Sequence, residues 1–430
     1  MGLSPILDSR WSKQSGKMKI GLLGIAHLSL NHGAAFAAKG FKVVFFDFDT
    51  GLVKQMEEEN LDYSEPGLKE ALKLYDKNIA VTSKETDLYS CDLLYIARDV
   101  PTDDQGKSDL KDTHKLFEIA RSNASSRSSV VILCQVPPGF TRQLDFPKDR
   151  LFYHMDPLIF GQALDRATKP DRFIIGLDNP ERALTSSLER LLTSFECPIL
   201  RMRYESAEFT KIAINLFLIS SVSTTNTIAD ICEKIGADWV EMKRAVQLDK
   251  RIGPYAYTSP GLGLSGGNLE RSLTSAHELT YAHGAAHTMV QAWMDDCTYR
   301  KDWVLKTLHQ KVFLRNTAPK IGILGLAYKI DTNSIKNSPA FHLLEHLQSY
   351  DVMAFDPVVT QTPYAAVKIA HKATDILERD VVLIMTPWKE FKDLDYKKYK
   401  KIKVLIDPFN LFEKESKHLT CQYYALGKSI

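Results

Sequence analysis

The sequence predicts an α/β fold: an N-terminal Rossmann-like domain, a long central helical connector and a C-terminal Rossmann-like α/β domain. Three observations carry this. Short apolar runs ending at glycine turns occur at Met18–Gly24 and again at Lys320–Gly325. Strand-like apolar runs alternate with helical segments at both ends of the chain, the pattern of a parallel sheet. Between them, Ser206 to Ile235 runs without a single Pro or Gly.

In chain order, residues 1–17 lack an apolar core and are expected to form a flexible arm rather than a signal peptide. Domain one is expected over 18–203, the connector over 204–306 and domain two over 307–430. MKIGLL, then an Ala-rich helical stretch closed by Gly40, then KVVFFDFD ending at Asp47, reads as the opening of a dinucleotide-binding βαβ unit. Further strands are expected at Cys91–Ala97, Ser129–Val136 and Arg172–Leu177. The long helix is expected to stop at Gly236, a suitable C′ residue. Helix continues to about Lys306, interrupted by the glycine-rich PGLGLSGGN. Strands return at Val352–Pro357, Val381–Trp388 and Lys403–Asn410.

The 430 residues are 44% hydrophobic and 25% charged with a formal net charge of +2, ordinary for a globular chain. That balance gives no bulk electrostatic reason for nucleic acid or membrane as partner. Six scattered cysteines with no CxxC pair are expected to be reduced thiols of a cytoplasmic protein, not a disulfide framework or a metal site. No continuous apolar run reaches the ~18 residues of a membrane span.

The first glycine turn reads Gly24-Ile25-Ala26-His27-Leu28-Ser29, with Ala26 and Ser29 in the second and third glycine slots of the dinucleotide fingerprint. With Asp47 at the end of the next strand, the turn is read as a site for an NAD cofactor. Asp47 would accept hydrogen bonds from the adenosine ribose and disfavour the extra phosphate of NADP; the alternative is a turn or capping acid. Lys211 and Asn215 stand four residues apart on one face of the long helix. They are read either as a base with an orienting amide or as a solvated pair. VPPGFTR follows a strand, where ligands bind in open α/β sheets. His154 and Asp156 lie in the next connection, where structural and catalytic readings are equally open.

These pieces, in this order, resemble the UDP-glucose/GDP-mannose dehydrogenase family. The resemblance rests on SEPGL (Ser64–Leu68), VPT (Val100–Thr102), VPPG, PDRFIIG (Pro170–Gly176), EFTKIAIN (Glu208–Asn215) and DKRIGPY (Asp249–Tyr255). It continues through the glycine loop, GLAYK (Gly325–Lys329), SPA (Ser338–Ala340) and DPVV (Asp356–Val359). It implies NAD in the first domain, a dimer-forming connector, a UDP-sugar or similar nucleotide on the last domain, and a place in polysaccharide biosynthesis. It also implies cofactor contacts from Gly24, Ala26, His27, Leu28, Asp47, Pro101, Thr102, Gln135 and Lys329. Substrate contacts are implied from Leu158, Arg251, Tyr255, Gly261, Gly263 and Lys336.

Members of the family usually oxidise a sugar alcohol twice, the second time through a thiohemiacetal on a cysteine. Laid on the loop from Gly261, the family pattern puts Asn268 at that cysteine, Arg271 at a lysine and Ser272 at an aspartate. A one-residue insertion after DKRIGPY allows Leu269 there instead; in either register the loop holds no cysteine. Other slots depart as well. Cys134-Gln135 stands for Ser-Thr, Asp156 and Phe160 for two glutamates, and Lys336 for an arginine, which loses bidentate anion contact. The expectation is therefore an NAD-dependent oxidoreductase acting on a nucleotide-linked sugar in one two-electron step, with Lys211, Asn215, Asp156 and Asn268 at the reacting centre. Two alternatives stand beside it. One is a nucleotide- or NAD-binding pseudoenzyme; the other keeps four-electron chemistry with Cys134 as nucleophile.

Overall fold

The computed structural model describes residues 18–61, 65–101, 103, 108–155, 158–265, 267–413 and 415–428. The arm expected over 1–17, and Ser64, Thr102, Asp156 and Gly266, lie outside the described residues. The chain divides into two compact units between Ala213 and Ile214. From Ile214 onward it groups with the C-terminal sheet, because Leu262, Trp303, Val304 and Leu308 are buried in that sheet's core.

The first unit is built on an eight-stranded sheet. Its strands are β1 (Lys19–Leu23), β2 (Lys42–Phe46), β3 (Ile79–Thr82), β4 (Leu93–Ile96), β5 (Ser129–Ile132), β6 (Leu151–His154), β7 (Phe173–Leu177) and β8 (Ile199–Arg203). Their spatial order is β3-β2-β1-β4-β5-β6-β7-β8. All pairs are parallel except β6–β7, which run antiparallel. The strands β4, β5, β6 and β7 are buried along their whole length. That is why they read as unbroken apolar runs rather than alternating ones. β4 and β5 are shorter than the apolar runs that announced them: residues after Ile96 and Ile132 leave the ladder and form carboxyl-end loops. The sheet order reverses direction between β1 and β4, the switch point at which open α/β sheets take ligands.

Helix α1 (His27–Ala38) follows β1 and is buried from His27 to Ala37. The helix is enclosed on every side, its polar His27, Ser29, Asn31 and His32 included. Its close approach to the sheet is made at Gly33, where an added Cβ would lie 2.2 Å from the Phe45 ring and 2.8 Å from Leu22. The small-residue contact usually supplied by the third fingerprint position is thus supplied one turn later. Gly33→Ala is expected to destabilise the first unit by about 1–3 kcal/mol through overpacking, read from the midpoint of urea unfolding.

The second unit carries β9 (Lys320–Leu324), β10 (Asp351–Phe355), β11 (Val367–Ile369), β12 (Val381–Ile384), β13 (Val404–Ile406) and β14 (Gln422–Tyr424). They form one sheet in the order β11-β10-β9-β12-β13-β14. This repeats the order of the first six strands of the first sheet, although the two sequences resemble each other only weakly. Val381 and Leu383 face one core, Val382 and Ile384 the other, so both faces of the sheet are covered. The six cysteines are all free thiols.

The longest helix, α2 (Tyr204–Ile235), has 32 residues, and its most apolar stretch has mean hydropathy 1.4. By length and composition it could cross a membrane. The expectation of no such segment came from counting continuous runs, and Ser, Thr and Asn interrupt the apolar residues here. Two of those polar side chains tie the helix to the segment that follows it. Thr225 donates to the Tyr257 carbonyl at 2.8 Å, and Asn226 accepts from the Gly261 N–H at 2.9 Å.

Candidate functional site

In the first unit the site begins at the turn after β1. Gly24 has φ +98°, and an added Cβ there would meet Arg98 Cβ at 2.7 Å, so no other residue fits. The Ala26 N–H donates to Ser29 Oγ at 2.9 Å, and that hydroxyl donates to the Ala26 carbonyl at 2.9 Å. Ser29 therefore stands in the third glycine slot as an internal clasp. The Leu28 N–H points to Asp99 Oδ2 at 3.4 Å.

Asp47 lies where the sequence placed it, at the end of β2, with none of its surface exposed. One carboxylate oxygen accepts the Ile25 N–H at 2.8 Å and the other the Asp49 N–H at 2.9 Å. The Arg98 guanidinium donates to both, at 2.8 and 3.1 Å. Sequence reasoning did not single out Arg98.

It also passed over the role of Glu65 in SEPGL. Glu65 Oε2 lies 2.8 Å from His27 Nε2. The same carboxylate accepts the Gly161 N–H at 3.0 Å and the Ala163 N–H at 2.7 Å. Phe160 stacks on the His27 ring at 4.2 Å. A buried glutamate thus joins the cofactor turn to the segment that carries Leu158, itself buried. The signal was a lone acid 38 residues from its partner, which no local pattern reveals.

At the end of β5, Gln135 Oε1 is enclosed and has no hydrogen-bond partner among the described residues. Cys134 is fully buried, its Sγ 3.9 Å from Thr113 Oγ1. Pro101 is exposed. The VPPG turn passes through Gly139 at φ +91°. Its amides at Gly139 and Thr141 donate to Glu208 of α2. Burial raises the Glu208 pKa and these bonds pull it back. Lys211 follows three residues later on the same helix, partly buried. His154 takes the structural reading. It is buried amid the rings of His32, Tyr95 and Phe173 at 5.7, 6.0 and 5.2 Å.

In the second unit the glycine loop reaches first for the protein itself. Gly263 has φ +78°, and an added Cβ would lie 2.7 Å from the Cys297 carbonyl oxygen. Cys297 belongs to helix α4 (Thr288–Lys301), which follows α3 (Asn268–Ala282). Gly263, a substrate contact in the family resemblance, thus packs against a helix backbone. Gly261 and Gly267 have open space instead.

Asn268 opens α3, exposed, its Oδ1 accepting from Arg271 at 3.1 Å. Asn215 Nδ2 donates to Ser272 Oγ at 2.8 Å. Glu270 pairs with Lys301 at 3.1 Å and accepts from Asn337. Ser265 Oγ donates to the Tyr328 carbonyl at 3.4 Å. These contacts bring the glycine loop, GLAYK and the segment ahead of SPA together. Lys329 and Lys336 are partly buried there. Arg251 and Tyr255 are not gathered in. Arg251 pairs with its neighbour Asp249 at 2.7 Å, and Tyr255 is 92% exposed.

Comparison with known proteins now decides the family. Three domain descriptions of UDP-glucose/GDP-mannose dehydrogenases match in order: the NAD-binding domain over 18–196, the central domain over 205–296 and the UDP-binding domain over 322–414. The chain belongs to the UDP-glucose/GDP-mannose dehydrogenase family. It is 27% identical to UDP-glucose 6-dehydrogenase TuaD of Bacillus subtilis over 95% of this chain and 93% of that one. It is 28% identical to UDP-glucose 6-dehydrogenase of Rickettsia typhi over 96% and 100%. A UDP-glucose dehydrogenase structure from Pyrobaculum islandicum superposes with TM-score 0.84 at 23% identity, covering 97% of this chain and 99% of that one. A UDP-D-ManNAc dehydrogenase structure from Pyrococcus horikoshii gives 0.82 at 21%, covering 95% and 99%. At those identities the structures show the fold.

The family is one of NAD-dependent nucleotide-sugar dehydrogenases acting on CH–OH groups, and its cofactor is NAD. The residues here fit that cofactor in outline. The Gly24 turn opens α1, Asp47 ends β2, and the enclosed Gln135 oxygen is an acceptor for a bound donor. Gly24, Ala26, His27 and Leu28 would hold the phosphates, Asp47 the ribose and Gln135 the nicotinamide end, with Pro101 bordering it.

Proposed function

We propose that this chain oxidises an alcohol carbon of a nucleotide-linked sugar in a single two-electron step, or reduces the corresponding carbonyl. A UDP-sugar is the substrate class its UDP-binding domain supports. NAD, when bound, supplies the hydride acceptor. Lys211 would take the alcohol proton or hold the developing oxyanion. Asn215, fixed by Ser272, and Asn268 would orient the hydroxyl, with Asp156 steadying Lys211 or a water. Lys336 and the loop glycines would hold the rest of the substrate.

One observation carries the single-step reading. The loop and the start of α3 contain no thiol, and an amide forms no thiohemiacetal. The thiol-bearing residue that the loop does touch, Cys297, has its pKa pushed up to about 11 by burial. A thiol held protonated is a poor nucleophile. The test counts NADH formed per UDP-sugar consumed. One NADH with a carbonyl product is expected; two with a carboxylate product would overturn the reading.

A second reading, a nucleotide- or NAD-binding pseudoenzyme, is favoured by the Arg98 guanidinium on Asp47; turnover of any nucleotide-sugar removes it. The four-electron alternative is poorly supported for Cys134, which is fully buried. A cytoplasmic homodimer is part of the proposal. The exposed Phe217, Ile235 and Leu248 on the central helices support the dimer.

A further inference from the structure

The arrangement around Asp47 bears on how the cofactor enters. An ionised carboxylate offers about four acceptor positions. Two are used by the Ile25 and Asp49 amides, which are fixed parts of the turn. The open side of both oxygens is covered by one Arg98 nitrogen, Nη1, at 2.8 and 3.1 Å. A ribose diol donating to Asp47 needs that side, so the diol and Arg98 compete for the same space.

Arg98 is well anchored there. Its Nε lies 3.3 Å from Asp112 Oδ2, on the helix Lys111–Asn123. Its Cζ stands 5.3 Å from the Phe48 ring centroid, and Lys115 Nζ lies 3.5 Å from the same centroid. The Arg98 side chain is 21% exposed and the Asp47 side chain 0%. This pair is therefore shielded from the solvent screening that makes surface ion pairs nearly worthless. Gly24, pressed against Arg98 Cβ, fixes where that side chain starts.

We propose that Arg98 is a built-in competitor of the adenosine ribose, so that NAD binds only by lifting the guanidinium off Asp47, and that Arg98 sets the cofactor affinity of this chain. The proposal rests on NAD binding to the first domain. It does not rest on the number of oxidation steps.

The experiment titrates NAD, NADH and NADP into the full-length protein by calorimetry, without sugar. Wild type is compared with Arg98→Val, Arg98→Gln and Asp112→Asn, each first checked for a cooperative thermal transition. Removing Arg98 is expected to tighten NAD and NADH by about tenfold, the scale of one partly desolvated ion pair. Asp112→Asn, which loosens one anchor, is expected to tighten them by a smaller factor and stands in if the Arg98 variants do not fold. Unchanged or weaker NAD binding in the folded variants overturns the proposal. So does tight NADP binding by wild type that is lost in Arg98→Val, since Arg98 would then be a phosphate ligand. Failure of the single-step chemistry appears only in the NADH count and leaves these affinities untouched.

Discussion

Lys211→Met is expected to lower kcat/KM by about 10²- to 10⁴-fold, the usual contribution of a positioned proton-transfer group. Calorimetric NAD affinity should stay within about twofold, because Lys211 lies on α2 and outside the cofactor turn. The loss should fall on kcat, since a group that acts on the developing charge binds the ground state weakly. Asn215→Ala should give a smaller loss, shared between kcat and KM, because it also frees Ser272. A Lys211→Met enzyme with undiminished turnover would remove Lys211 from the reaction and, with it, the proposed chemistry.

The second large effect is on stability and follows pH. Asp407 ends β13 with none of its surface exposed. It accepts the Tyr423 hydroxyl at 2.7 Å and the Phe409 and Phe412 amides at 3.1 and 3.3 Å. Burial outweighs these bonds and pushes its pKa up to about 6 from the ordinary 3.8. Between those values the folded chain binds a proton that the unfolded chain has lost. The contribution is fully present below about pH 4 and is lost as pH rises through about 6. A shift of about two units at 1.36 kcal/mol each gives ~3 kcal/mol. Urea unfolding from pH 4 to 7.5 should show Asp407→Asn gaining on wild type by that order as pH rises. A difference that stays flat would show Asp407 ionised throughout.

Much of the fold was legible because its signals are local. The runs at β1 and β9 are apolar and end at glycine, those at β4 and β12 are unbroken apolar stretches, and α2 contains no breaker, so strand and helix periods declare themselves. The edge strands were harder. β3 is only partly buried and β8 carries Arg201 and Arg203, so neither looks apolar. The site was legible where one residue type at one place suffices, as at Gly24 and Asp47. It was illegible where function depends on pairing at a distance. Arg98 is 51 residues from Asp47, and in sequence it looks like any solvated cation. The glycine loop is ambiguous for a related reason. Glycine reports close approach without saying to what, and at Gly263 the neighbour is the Cys297 backbone.

The second sheet repeats the acid at the end of its second strand. Asp356 accepts the Leu326, Ala327, Val358 and Val359 amides at 2.6 to 3.0 Å and the Trp388 indole N–H at 3.2 Å. Its donors are main chain and a bulky ring, which cannot leave without melting the loops that carry them. Asp47 has one donor group on rotatable bonds. The same corner of two like sheets is thus welded shut in one and bolted in the other, and only the bolted one can be opened by a visiting diol.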